Sequence, residues 1–375
     1  MTQKIIKPKS DRLLSLDAFR GITIAGMILV NNPGSWRYVY SPLTHAEWHG
    51  WTPTDLIFPF FIFILGAAIP LSFGKRLQMG YTKNQLFLKV VRRTIILFAL
   101  GLFLNAFPKF DFATLRIPGV LQRIALVYFF AAVITLKTGV KGQALTAALL
   151  LIIYWALMKL VPVPGYGTGV LGKEGNLAQY IDSIVLKGHM WKVNWDPEGI
   201  LSTIPAVATA LFGVLTGHWL KSAEKPMDKV ALIFVMGNVG LVLGIIMNVW
   251  FPINKNLWTS SYVVFTAGMA LQFLGICYWL IDIKGYKRWA VPFIIYGMNA
   301  ILVYFLSGVV ARILINLKVS QSEGAGITLK TYIYQHAYAS WAGGINGSLF
   351  YALSYVLIWL GIMTIFYRKR IFIKI

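Results

Sequence analysis

Apolar residues in this chain gather into runs of about 20, separated by short polar connections, and the runs recur along nearly its whole length. A helix that crosses a bilayer needs roughly 20 mostly apolar residues, because lipid offers its backbone amides and carbonyls no partner. Ten stretches meet that requirement, at 13–32, 51–73, 85–107, 117–136, 143–162, 199–220, 230–251, 258–283, 289–316 and 347–367. The pattern predicts an all-α, polytopic transmembrane helix bundle, with the longest runs tilted or extending past the hydrocarbon. No repeat of fixed period and no low-complexity linker divides residues 1–375, so a single domain is expected. The first run contains Asp17 and Arg20 and lacks a small-residue cleavage pattern, so it reads as a retained helix and not a signal peptide.

Composition agrees: 57% of residues are hydrophobic and 13% charged, half the charged share of a typical soluble domain. A formal charge of +22 raises nucleic acid as a partner, and the distribution of the 35 Lys and Arg residues answers it. The N-terminus and the even-numbered connections hold about twice as many cations as the odd ones. They carry Lys4, Lys7, Lys9 and Arg12, then Lys75, Arg76, Lys83, Lys89, Arg92 and Arg93, and at the end Arg368, Lys369, Arg370 and Lys374. The positive-inside rule places that side, with both termini, in the cytoplasm, which fits an even number of crossings. No basic cluster is interleaved with a stacking surface, so nucleic-acid binding is not expected. The lone Cys277 lies within an apolar run and is read as packing.

Charged side chains inside a span cost about 2.5–3.5 kcal/mol even on the lenient scale, so each asks for a reason. Asp17, Arg20 and Asn31 fall on one face of the first run, and the distance between the outer two is about 21 Å at 1.5 Å per residue. Such a face suits the wall of a deep conduit; an Asp17–Arg20 pair that only fixes packing is the simpler alternative. Gln122 and Arg123 lie in IPGVLQRIAL, with Arg116 just ahead. Asn254, Asn256, Thr259 and Ser260 crowd the entrance of the eighth run, and Asn299 lies in the ninth. Taken singly, each reads as interhelical glue.

Three connections on the non-cytoplasmic side are long, at about 33–50, 163–198 and 317–346, and loops of that size are often functional. The first holds Trp36, Tyr38, Tyr40, Trp48 and Trp51, which suits an interfacial belt or a platform for a sugar ring. Asp196 and Glu198 precede the sixth run and are placed to complement its N-terminal dipole. Among five histidines, His218 sits where a cation complements a helix C-terminus. His45 differs, since it precedes the second run by a few residues and Asp55 follows it by ten. An imidazole takes up a proton near neutral pH, and a carboxylate on its other nitrogen orients it. His45 and His49 at spacing four lack a third ligand of obvious spacing, so no metal is expected.

The runs RLLSLDAFRGITIAGMILVNNPGSW, LTHAEWHGWTPTDLIFPFFIFILG, RIPGVLQRIAL, DPEGILSTIPA, PINKNLWTSSYV and YGMNAILVYF, in this order, resemble the heparan-α-glucosaminide N-acetyltransferase family, and in particular its shorter bacterial members. The resemblance implies a transmembrane acyltransferase domain in a bacterial inner membrane, with a homodimer expected. It implies transfer of an acetyl group from cytoplasmic acetyl-CoA to the amine of a glucosamine-type sugar on the other side. The family's active histidine matches His45 in HAEWHG, the asparagine ending the first core helix matches Asn31, and the following acid matches Asp55. His49 departs from the family's pattern and offers an alternative base. Asp17, Arg20, Arg92, Arg93 and Arg123 are the candidates for coenzyme binding, and Trp36, Trp48, His49, Asn254 and Asn256 for the acceptor. A sugar transporter and an O-acetyltransferase of an envelope glycan are the alternatives.

Overall fold

The computed structural model describes residues 13–319 and 326–373. Five basic residues of the charge pattern, Lys4, Lys7, Lys9, Arg12 and Lys374, lie outside the described residues. Helices dominate: α1 Leu14–Asn31, α2 Pro53–Gln78, α3 Lys83–Ala106, α4 Val120–Lys137, α5 Val140–Leu160, α6 Leu177–Val185 and α7 Thr203–Lys221. They continue with α8 Pro226–Asn248, α9 Ser260–Cys277, α10 Val291–Met298, α11 Ala300–Asn316, α12 Leu329–Tyr334, α13 Ser340–Ala342 and α14 Gly344–Arg368. A two-residue antiparallel pair, Lys318–Val319 with Ile327–Thr328, precedes α12.

Among the described residues, eight helices are long and apolar enough to cross a membrane, and α10 with α11 makes a ninth if that bent pair is one span. The remaining predicted span, α3, has the length, but Lys89, Arg92 and Arg93 interrupt its apolar stretch. One predicted span is not continuous. The run at 289–316 breaks at Asn299 with a bend of 73°. There the Asn299 side chain turns to the C-terminal segment, donating to Ile371 O at 3.1 Å and accepting from Ile373 N at 3.0 Å.

Helix α2, deeply buried along its apolar stretch, packs against α7, and α1 packs against α10. Both contacts depend on glycine. Between α2 and α7 a Cβ on Gly66 would fall 2.0 Å from Ala210 O, and between α1 and α10 one on Gly21 would fall 1.7 Å from Phe293 O. Without side chains at these positions the backbones approach closely, and close packing is what drives helix association in lipid.

The long connections gather at one end of the bundle and are wired to each other. Gly50 N donates to Ile253 O at 2.8 Å, Trp48 Nε1 to Leu171 O at 2.8 Å, and Gly34 N to Ser348 O at 3.1 Å. This loop end has its own small core of Tyr154, Met158, Val163, Leu177, Leu201, Phe251 and Leu257. The opposite, basic end carries Lys75 and Arg76 at the end of α2 and Lys83 at the start of α3.

Candidate functional site

At the loop end, the order of residues around the start of α2 builds a histidine–carboxylate pair. Thr52 caps α2, and Asp55, three residues on, reaches back in a capping box. Asp55 Oδ2 accepts from Thr52 N at 3.0 Å, Thr52 Oγ1 at 3.1 Å and Ala46 N at 3.0 Å, while its backbone carbonyl accepts from Tyr262 OH at 2.5 Å. Oδ1 is left for His45 Nδ1 at 2.6 Å. A carboxylate only accepts, so this contact assigns the ring proton to Nδ1 and leaves the lone pair on Nε2. The Asp55 side chain is 1% exposed and the His45 ring 48%, so a buried orienter holds an imidazole open to solvent.

The turn before α9 faces this pair. Asn254 is fully buried, with Oδ1 accepting from Leu257 N at 2.9 Å and Nδ2 at 3.3 Å from His49 Nδ1. Burial lowers the pKa of His49, which favours its neutral ring. Lys255, one residue on, places Nζ 3.2 Å from His45 Nε2 and 3.3 Å from Nδ1. Sequence reasoning named the asparagines on either side and missed this lysine. Nothing local in NKN marks it, because its partner is 210 positions away.

The other substrate candidates separate. Trp48 is built into the loop end, with its ring edge-on to Trp195 and its indole bonded to Leu171 O. Trp36 is 65% exposed beside Lys330, whose Nζ lies 5.9 Å from the ring centroid. Asn256 is half-buried on the same turn as Asn254. Asn31 ends α1 with an exposed side chain.

A cavity of about 750 Å³ opens at the basic end. Its walls carry Arg20, Lys75, Arg76, Lys89, Arg92 and Arg93, with Tyr81 and Tyr128 among them. Arg93 lies over the Tyr128 ring at 4.5 Å and Lys89 over Tyr81 at 3.7 Å, so aromatic faces hold the cations in place. Arg20 donates to Asp17 Oδ1 at 3.2 Å and Gly297 O at 3.4 Å. Along α2 its lining runs from Met79 to Phe61, a stretch of helix about 27 Å long at 1.5 Å per residue. Phe61 is six residues from Asp55, about 9 Å along the helix. Neither His45 nor Asn31 lines the cavity.

Two assignments move. Arg123, grouped with the coenzyme cations, is 1% exposed and sits near the loop end. It donates to Pro197 O and Gly199 O, each at 3.0 Å, and to Ser202 Oγ, with Trp258 beneath its guanidinium. Asp196 and Glu198 do not cap the helix that follows them. Arg116 takes both Asp196 oxygens at 2.7 Å and Glu198 at 2.5 Å, because a guanidinium fork outcompetes a distant dipole. Burial works against the Arg116 charge, but these two carboxylates outweigh it and raise its pKa.

Comparison with known proteins now bears on the chain as a whole. Residues 12–163 match a family model described as a domain of unknown function (DUF5009). Over 355 residues the chain is 34% identical to the heparan-alpha-glucosaminide N-acetyltransferase of Mus musculus, covering 80% of this chain and 53% of the mouse protein. The Homo sapiens protein of the same name is 33% identical over 350 residues, covering 78% of this chain and 52% of its own length. The chain is a homologue of these two proteins. It spans about half the length of the curated heparan-alpha-glucosaminide N-acetyltransferases it matches.

Proposed function

We propose that this protein transfers an acetyl group across the membrane, from acetyl-CoA bound at the basic end to the amine of a glucosamine-type sugar at the loop end. The observation that carries this reading is the buried Asp55 holding an exposed His45 by Nδ1, at the opposite end of α2 from a deep cation-lined cavity. The same topology has ten crossings, counting α3 and the bent α10–α11 pair as one span each, with both termini in the cytoplasm of a bacterial inner membrane.

The cavity suits a coenzyme that is a phosphorylated nucleotide with a long arm. Arg76, Arg92 and Arg93 present forks or point charges to phosphates at its mouth, and Asp17 orients Arg20 deeper in. Its lining along α2 runs inward as far as Phe61, and the acyl end extends from there toward His45. In the transfer step the acceptor nitrogen attacks the thioester carbonyl, its proton passes to His45 Nε2, and the thiolate leaves with the coenzyme. Asp55 stabilises the imidazolium that forms, and Asn31, at the same end of α1, donates to the oxygen as charge develops there. His49 and Asn254, which face the pair from the turn before α9, border the acceptor's approach.

Reconstituted vesicles given labelled acetyl-CoA and glucosamine test the reading. Alkali-stable acetylated sugar is the expected result. Unmodified sugar accumulating inside would indicate a carrier, and an alkali-labile ester an O-acetyltransferase.

A further inference from the structure

The break between α10 and α11 lies in the wall of the basic-end cavity. Gly297 and Met298 line the cavity on one side of the break, and Ala300 and Ile301 line it on the other, whereas Asn299 between them does not. Asn299 is 2% exposed, and its amide is engaged elsewhere. Nδ2 donates to Ile371 O at 3.1 Å, and Oδ1 accepts from Ile373 N at 3.0 Å. A residue of a parallel strand bonds to its neighbour in the same way, giving to one residue and taking from the next but one. One side chain thus holds the backbone of residues 371–373 at two points.

That segment reaches Asn299 because α14 ends in a Schellman motif. Ile371 N donates to Phe366 O at 2.9 Å and Arg370 N to Tyr367 O at 3.0 Å, with Arg370 in the left-handed region at φ 56°. The chain turns back there, and Ile373 joins the lining of the cavity. The α10 side of the break is seated as well. Gly297 O accepts from Arg20 Nη1 at 3.4 Å, and a Cβ on Gly297 would fall 2.0 Å from Asp17 O. Asn299 is therefore the joint at which two parts of one cavity wall, the break and the segment after α14, are fastened together.

We propose that Asn299 is a positioning residue for the donor: it clamps residues 371–373 to the α10–α11 break and so keeps the cavity in the shape that binds acetyl-CoA. The inference rests on the reading of that cavity as the coenzyme site. Two helices that meet at 73° do not share a continuous hydrogen-bond ladder, so their angle needs an outside brace. A wall that swings free is competent for only part of the time, and apparent affinity falls by that fraction. The His45–Asp55 pair lies at the other end of α2, so the clamp acts on the donor and not on the acceptor.

The test is acetyl-CoA affinity of the purified whole chain by calorimetry, measured beside KM for glucosamine at saturating donor. Ile373→Pro deletes one clamp bond with its N–H and is expected to weaken acetyl-CoA binding about fivefold, the worth of one hydrogen bond. Asn299→Ala deletes both, for an expected loss of about twentyfold. The double variant should bind no more weakly than Asn299→Ala alone, and KM for glucosamine should hold in all three. A loss of about a hundredfold in the double variant would show two independent effects and overturn the clamp. So would wild-type affinity in both single variants, or a KM for glucosamine that rises in step with the donor's Kd, which would mark a general loss of structure. If Asn299→Ala does not fold, Ile373→Pro decides alone, by a fivefold loss or none. Should the wild-type protein bind no acetyl-CoA, the coenzyme reading falls and this inference with it; binding by the wild type that neither variant weakens overturns the clamp alone.

Discussion

The two ends of the bundle treat their charges in opposite ways. At the loop end, Arg116 is locked by Asp196 and Glu198, Arg123 by backbone carbonyls and Ser202, and Asp55 by four donors. At the basic end, Lys75, Arg76, Lys89, Arg92 and Arg93 have no carboxylate partner among the described residues, and all five line a cavity. Charges that satisfy each other build a rigid frame, and charges that line a cavity leave room for an anion. On the proposed reading, the first holds the His45–Asp55 pair in place and the second takes the phosphates of the donor.

Substitutions that exchange these characters should have graded effects. Replacing His45 with Ala removes the base and should abolish measurable transfer in a folded protein that still binds acetyl-CoA; Asp55→Asn, which disturbs the tautomer, should lower turnover by about 10³–10⁴. Next come the cavity cations. Arg92→Ala and Arg93→Ala should each weaken acetyl-CoA binding by about 10–100-fold, the value of a charge-assisted bond, with little change in melting temperature, as calorimetry would read. Asn31→Ala should cost turnover about 10² if the amide stabilises the developing oxyanion, and a near-normal rate removes it from the centre. Arg116→Met should show the reverse of the cavity variants. It strands two buried carboxylates, so it should destabilise the fold by about 3 kcal/mol while coenzyme affinity is kept.

The smallest effect concerns Asp182, whose Oδ1 accepts from Ile200 N at 2.9 Å beneath Gly199. Burial pushes its pKa up to about 6, opposed by that bond and by Arg123. A raised carboxylate favours the folded state below the unfolded value near 3.8, and that advantage is lost as pH rises through about 6. Asp182→Asn should therefore raise the melting temperature at pH 7.5 and change it little at pH 4.

Much of this architecture was legible from the chain alone, for identifiable reasons. Spans are written in long apolar runs, and nine of the ten predicted stretches correspond to continuous helical segments within a few residues, α9 being extended to Ile283 by a π-turn. The His45–Asp55 pairing was legible because only ten residues and one capping box separate its members. What escaped depended on distant partners. The bend at Asn299 follows from a bond to residue 371, Arg123 looked like a coenzyme ligand until residues 197–202 enclosed it, and Lys255 gains meaning only beside His45. Asp196 and Glu198 were misread as caps because Arg116, 80 residues earlier, is invisible from their own segment.

The central claim is that donor and acceptor meet from opposite ends of α2. Vesicles loaded with glucosamine and given labelled acetyl-CoA only on the outside, with the basic end facing out, test it directly. Labelled acetylglucosamine inside the lumen is the predicted result; product forming only outside, on the same side as the donor, would contradict the account.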